Sequence, residues 1–141
     1  VCIEKLLYLQ PDIYMGKTVK YELEYIVRSS PSVLHNFLIT PTGLSQWFAD
    51  NVDNEGNTYF FTWNGVEEEA ELLTTDDDDS IRFRWDYYDD DEFFEFRIEQ
   101  GEITGDTILY ITDFAEPNEV DSQKALWDSQ IKNLIKRIGA A

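Results

Sequence analysis

From Thr18 the chain alternates. Val19, Tyr21, Leu23, Tyr25 and Val27 fall between Lys20, Glu22, Glu24 and Arg28, with Ile26 the one exception. A period of two predicts a strand with one dry face and one wet face. Ser29-Ser30-Pro31 ends it: Ser30 suits an N-cap, Pro31 the first helical position, and Val33, Leu34, Phe37 and Leu38 follow at helical spacing. Thr40-Pro41-Thr42 repeats the signal and opens a second short helix with Leu44, Trp47 and Phe48 on one side. Two short helices in tandem are therefore expected directly after the first strand.

Period two then returns and persists. Asn54 to Asn57 reads as a turn, Thr58 to Trp63 as a strand, and Asn64-Gly65 as a two-residue hairpin into Val66 to Leu73. Asp76 to Ser80 turns the chain, after which Ile81, Phe83, Trp85 and Tyr87 alternate with Arg82, Arg84, Asp86 and Tyr88. Asp89 to Asp91 is the next turn; Phe94, Phe96 and Ile98 alternate with Glu95, Arg97 and Glu99. Gly101 to Asp106 turns once more, into Thr107 to Phe114. The last segment changes period. Val120, Ala125, Trp127, Ile131, Leu134, Ile135 and Ile138 recur mostly at three- and four-residue steps, with Asp121 or Ser122 as cap and Gly139 as stop. A helix from Asp121 to Ile138 is roughly 27 Å long, enough to cross a sheet.

Composition narrows the classes of function. The chain has 141 residues, of which 43% are hydrophobic and 15% aromatic, rich enough for a core. A single domain over residues 16–141 is expected, with residues 1–15 as an N-terminal extension. In that extension, either translation begins naturally at Met15, or Leu6, Leu7 and Leu9 dock on an apolar edge. Lys plus Arg number 11 against 29 Asp plus Glu, a net charge of −18. Such a chain lacks the cations that displace counterions from nucleic acid or that seek anionic membrane. No segment reaches the roughly 18 apolar residues a spanning helix needs. One Cys and one His fall short of a four-ligand zinc site, and Cys2 alone forms no internal disulfide. With no secretory signal in the sequence, the expected compartment is the cytoplasm.

The order of elements resembles the START-like, helix-grip (SRPBCC) superfamily, over about Lys17 to Ile138. Within it, Pro41-Thr42-Gly43-Leu44-Ser45-Gln46-Trp47-Phe48 is similar to the signature of the heat-shock-chaperone-activator-like (AHSA-type) branch. Phe61 to Gly65, Ala70 to Leu72, and Leu126-Trp127 with Ile131 and Leu134 resemble that branch's strands and closing helix. The resemblance implies an α+β helix-grip fold. A curved antiparallel sheet would carry two short helices after its first strand and a long C-terminal helix across it. It also implies a bacterial source. The motifs are structural and name no reaction.

The aromatics and the acids are both concentrated. Of 21 Phe, Trp and Tyr residues, 11 lie between Tyr59 and Phe96. They line a ligand cavity between sheet and helix or pack as a core. The candidate cavity wall is Trp47, Phe61, Trp63, Phe83, Trp85, Phe96, Trp127 and Ile131. Between Glu67 and Glu95 stand 14 acids and two Arg. Asp76 to Asp79 and Asp89 to Glu92 lack the alternating ligands and turn glycine of a calcium loop. They also belong to opposite ends of the sheet, so they read as solvated turn charge, or as a surface for a basic protein partner. His35 has no nucleophile near it in sequence, and neither a G-x-S-x-G elbow nor a phosphate loop occurs. No catalytic residue, cofactor or metal ligand is assigned. The expected activity is non-catalytic binding of a small hydrophobic ligand. The alternatives are a chaperone-associated interaction module and, third, a cyclase- or hydratase-like enzyme using a buried Tyr or Glu.

Overall fold

The computed structural model describes residues 17–140, so the expectations for Val1 to Tyr14 lie outside the described residues. Strand β1 (Val19–Val27) turns Tyr21 and Val27 inward and leaves Ile26 in solvent. Helix α1 (Pro31–Ile39) starts where expected, with the Val33 N–H donating to Ser30 Oγ at 3.3 Å. Thr40 closes α1 and opens α2 (Pro41–Leu44): its hydroxyl donates to the Asn36 carbonyl at 2.7 Å and accepts from Gly43 N–H at 2.9 Å. The two helices approach so closely that a Cβ on Gly43 would lie 2.3 Å from the Asn36 carbonyl oxygen. Only glycine fits there without moving backbone.

The meander follows: β2 (Asn51–Glu55), β3 (Thr58–Trp63), β4 (Val66–Leu73), β5 (Ser80–Trp85), β6 (Phe94–Gln100) and β7 (Thr107–Ala115). All pairings are antiparallel, in the order β1-β7-β6-β5-β4-β3-β2, so β7 brings the chain back beside β1. Asn64 and Gly65 take φ of 50° and 80°, both positive, as a tight I′-type turn between β3 and β4 requires. The sheet curves around helix α3 (Val120–Ala140), which a short 3-10 turn at Pro117–Glu119 introduces. The architecture is α+β helix-grip. Among the described residues no helix is long and apolar enough to cross a membrane.

Several boundaries differ from the periodicity. Strand β2 was not anticipated, because Asn-Val-Asp-Asn-Glu holds one apolar residue, Val52, and shows no period. Strand β5 stops at Trp85, ahead of Tyr87. Helix α3 begins at Val120, one residue before the expected caps, and the Ser122 hydroxyl donates back to the Glu119 carbonyl at 2.9 Å. Gly139 lies inside the helix and does not stop it. The buried stripe of α3 is Gln123, Trp127, Ile131 and Leu134, while Ala125 and Ile135 face away. A polar residue thus occupies a core position that an apolar pattern would have skipped.

Candidate functional site

The inward rows of β3, β5 and β6 bring Phe61, Phe83, Trp85, Phe94 and Phe96 onto one face, all at 1% exposure or less. Helix α3 adds Trp127 and Ile131 from above, and the chain leaving α2 adds Trp47 and Phe48. Phe48 is the hub. Its ring lies 5.2 to 6.5 Å from those of Trp47, Phe61, Trp63, Trp85, Phe94, Phe96 and Trp127. These separations are those of favourable ring pairs, each adding about 0.5 to 1.5 kcal/mol to area burial. The space the candidate wall residues share is therefore filled at its centre by Phe48. Helical spacing puts Phe48 on the second short helix and outside the expected wall, whereas α2 ends at Leu44 and Phe48 lies in the turn that follows.

The indole N–H groups fix the orientation of this layer. Trp47 Nε1 donates to the Phe37 carbonyl at 2.8 Å and Trp63 Nε1 to the Phe48 carbonyl at 2.9 Å. Trp127 Nε1 donates to Asp113 Oδ2 at 3.1 Å. Asp113 is 1% exposed and also accepts from Tyr88 Oη at 2.5 Å and from the Phe114 N–H at 2.8 Å. A carboxylate so placed is tolerable because strong donors replace its water. On the neighbouring strand, Tyr25 donates to Asp128 of α3, and burial, then that carboxylate, push its phenol above the usual range. Burial likewise raises Tyr59, whose hydroxyl donates to the Ile39 carbonyl at 2.8 Å.

A cleft of about 790 Å³ opens at one end of this layer, between the C-terminal half of α3 and the segment joining α2 to β2. Its floor is Trp47, Phe48, Ala49 and Trp63; its rim includes Gln130, Asn133, Lys136 and Arg137. The rim is tied across: Gln130 Nε2 donates to the Phe48 carbonyl at 3.2 Å, and Arg137 Nε to the Gln46 carbonyl at 3.1 Å. Of the candidate residues, Trp47 and Trp63 line the cleft. Phe61, Phe83, Trp85, Phe96, Trp127 and Ile131 sit behind it as its support. The rim residues were missed because they read as an ordinary wet helix face. Their signal is the spacing of 130, 133 and 137, a polar stripe beside the buried Ile131 and Leu134.

The acidic runs fall in turns at opposite ends of β5, and part of each is spent on local backbone. Asp77 accepts from Asp79 N–H at 2.9 Å and Ser80 Oγ at 3.2 Å, while Glu92 accepts from Asp89 N–H at 2.8 Å.

A curved sheet gripping one long helix, with two short helices after the first strand, defines the helix-grip class. The family model for the START-like superfamily domain matches residues 15–140, and the chain belongs to that superfamily. Among solved structures, the solution structure of BfR322 from Bacteroides fragilis is 38% identical, covering 86% of this chain and 92% of that one, with a TM-score of 0.62. The Aha1 dimer from Colwellia psychrerythraea is 16% identical over 85% of this chain and 96% of that one, TM-score 0.69. MLL2253 from Mesorhizobium loti is 15% identical over 84% and 95%, TM-score 0.66. The latter two share the fold. Among curated proteins none matches the sequence.

Proposed function

We propose that the protein binds a small hydrophobic ligand without transforming it, at the cleft where α3 leaves the sheet. Trp47 and Trp63 are the contact walls. Phe61, Phe83, Trp85, Phe96, Trp127 and Ile131 are the packed layer that holds those walls in place. The observation that carries this reading is the cleft itself: about 790 Å³, lined by Trp47, Phe48, Ala49 and Trp63 together with seven polar residues. That combination suits a site that gains affinity from apolar contact and orientation from its rim. Membership of a superfamily whose fold often encloses a ligand cavity supports it. The test is a fluorescence titration with uncharged N-phenylnaphthylamine. Saturable binding is expected, and Asn133→Trp, which fills the cleft from an exposed helix position, should abolish it without lowering the melting temperature. Absence of saturable binding by the wild type would sink the reading.

A second reading rests on the outer sheet face. Asp53, Phe60 and Glu69 stand in register across β2, β3 and β4, with Glu67 and Glu71 exposed beside them. This row would meet a basic protein surface, and the fold likeness to Aha1 together with the AHSA-type signature suggests a chaperone as that partner. Titration with a purified chaperone decides it. Binding that weakens with salt and is lost in Glu67→Gln/Glu69→Gln/Glu71→Gln supports the module; no binding at low salt rejects it.

A further inference from the structure

We propose that the ligand of the cleft is an amphipathic anion. Its apolar body would lie against Trp47 and Trp63, and its carboxylate, sulfonate or phosphate would be held by Lys136 and Arg137. The inference rests on the ligand-binding reading of the cleft and adds the polarity of what enters it.

The distribution of the cations carries it. The chain has 29 acids and 11 Lys plus Arg, and three of those cations, Lys132, Lys136 and Arg137, crowd into one stretch of α3. Two cations of the outer sheet face are paired, Arg82 with Glu95 at 2.7 Å and Arg97 with Glu99 at 2.6 Å, while Arg84 donates its Nε to the Glu92 carbonyl at 2.9 Å. Lys136 and Arg137 differ in their place, being the two cations on the cleft lining. Among the described residues neither has a carboxylate at ion-pair distance, in a chain where acids outnumber bases so heavily. Arg137 is held over the cleft by donating its Nε to the Gln46 carbonyl, which leaves the guanidinium's remaining N–H donors for another acceptor. The acid on the cleft lining, Asp50, is engaged at the hairpin, where its Oδ2 accepts from Asn64 N–H at 2.8 Å.

The helix dipole accounts for cations in the last turns of α3. It does not account for both cations of the cleft lining standing together there, two against the single acid Asp50. Nor does the overall field help an anion, because a net charge of −18 repels it. Any preference for an anionic ligand must therefore be local to this rim.

The test uses a matched pair on one ring skeleton, anilinonaphthalene sulfonate and uncharged N-phenylnaphthylamine. At low salt the wild type should bind the sulfonate about tenfold tighter, the size of one charge-assisted contact. Lys136→Gln/Arg137→Gln should remove the sulfonate's advantage, so that the ratio of the two probes' affinities falls from about ten to about one. Lys136→Gln alone, which keeps the Arg137–Gln46 bond, should fall between. Lys132→Gln, which changes the net charge equally but lies off the lining, should preserve the preference. Equal or better binding of the neutral probe by the wild type overturns the charge inference while the cleft reading stands. Binding of neither probe overturns both. A sulfonate preference that survives in the double variant places that probe elsewhere and overturns the inference.

Discussion

Replacing Trp127 probes the grip and the packing of the interior together. The indole is 1% exposed, stacks 5.8 Å from Phe48, meets Phe96 edge-on at 5.8 Å, and donates to the buried Asp113. Trp127→Ala removes the ring and leaves a void, which costs about 3 to 5 kcal/mol. It also strips one donor from a buried carboxylate, about 1.5 to 3 kcal/mol more. Together these approach the whole stability of a domain, about 5 to 15 kcal/mol. Trp127→Phe separates the two effects, since it keeps most of the packing and removes the N–H. At this chain length each kcal/mol moves the midpoint by about 3 to 5 °C. Thermal unfolding by circular dichroism should therefore show Trp127→Phe lowered by about 5 to 12 °C, and Trp127→Ala by more than about 15 °C or without a cooperative transition. A Trp127→Phe midpoint within about 2 °C of wild type would show that the bond to Asp113 contributes nothing. A Trp127→Ala loss under about 2 kcal/mol would show that the indole borders a hollow instead of a filled layer.

Gly43→Ala forces a Cβ to 2.3 Å from the Asn36 oxygen and 2.7 Å from Phe37 Cα, both backbone. Urea unfolding should report a loss of about 1 to 3 kcal/mol, and a neutral result would contradict the close approach of α1 and α2. Tyr25 and Tyr59 hold their protons more tightly when folded than the ordinary phenol of about 10. The folded state then binds more protons than the unfolded one above that pH, so their contribution is whole below about pH 10 and is lost as pH rises further. Denaturant midpoints should stay level to about pH 9 and then decline, with a shallower decline in Tyr25→Phe/Tyr59→Phe; equal slopes would contradict the assignment. Asp113→Asn keeps the shape but weakens the acceptor shared by Trp127, Tyr88 and the Phe114 amide, and should lower stability by about 1 to 3 kcal/mol in the same assay.

Most of the sheet could be read from alternation because its inner face is dry and its outer face wet. Phe83 and Trp85, or Phe94, Phe96 and Ile98, each announce a face through their charged neighbours. Strand β2 escaped because pairing with β3, and not its own side chains, makes it a strand: only Val52 points inward. The helix stripe was legible at Trp127, Ile131 and Leu134 but misjudged at Ala125 and Ile135, since apolar residues on a long helix need not all face the core. The site was legible in part. Trp47 and Trp63 were singled out for being large and aromatic, which is also why Phe61, Phe83 and Trp85 were singled out beside them. Which rings border open space depends on where Phe48 sits, and that depends on how the segment after α2 meets α3 through Gln130 and Arg137. Asp113 lies in the inward row of β7 between Ile111 and Ala115, and Gln123 lies on the inner stripe of α3. Local pattern marks both as exceptions but does not name their partners.

The central claim is that the ligand site is the cleft between the end of α3 and the chain that follows α2. Nitrogen–proton correlation spectra recorded during titration with N-phenylnaphthylamine test it residue by residue. The account predicts saturable shifts in the Trp63 indole N–H and in the backbone amides of residues 45–50 and 130–137, with the Asn133→Trp variant silent. Shifts confined to the acidic outer row of β4, or no shifts at saturating probe, would contradict it.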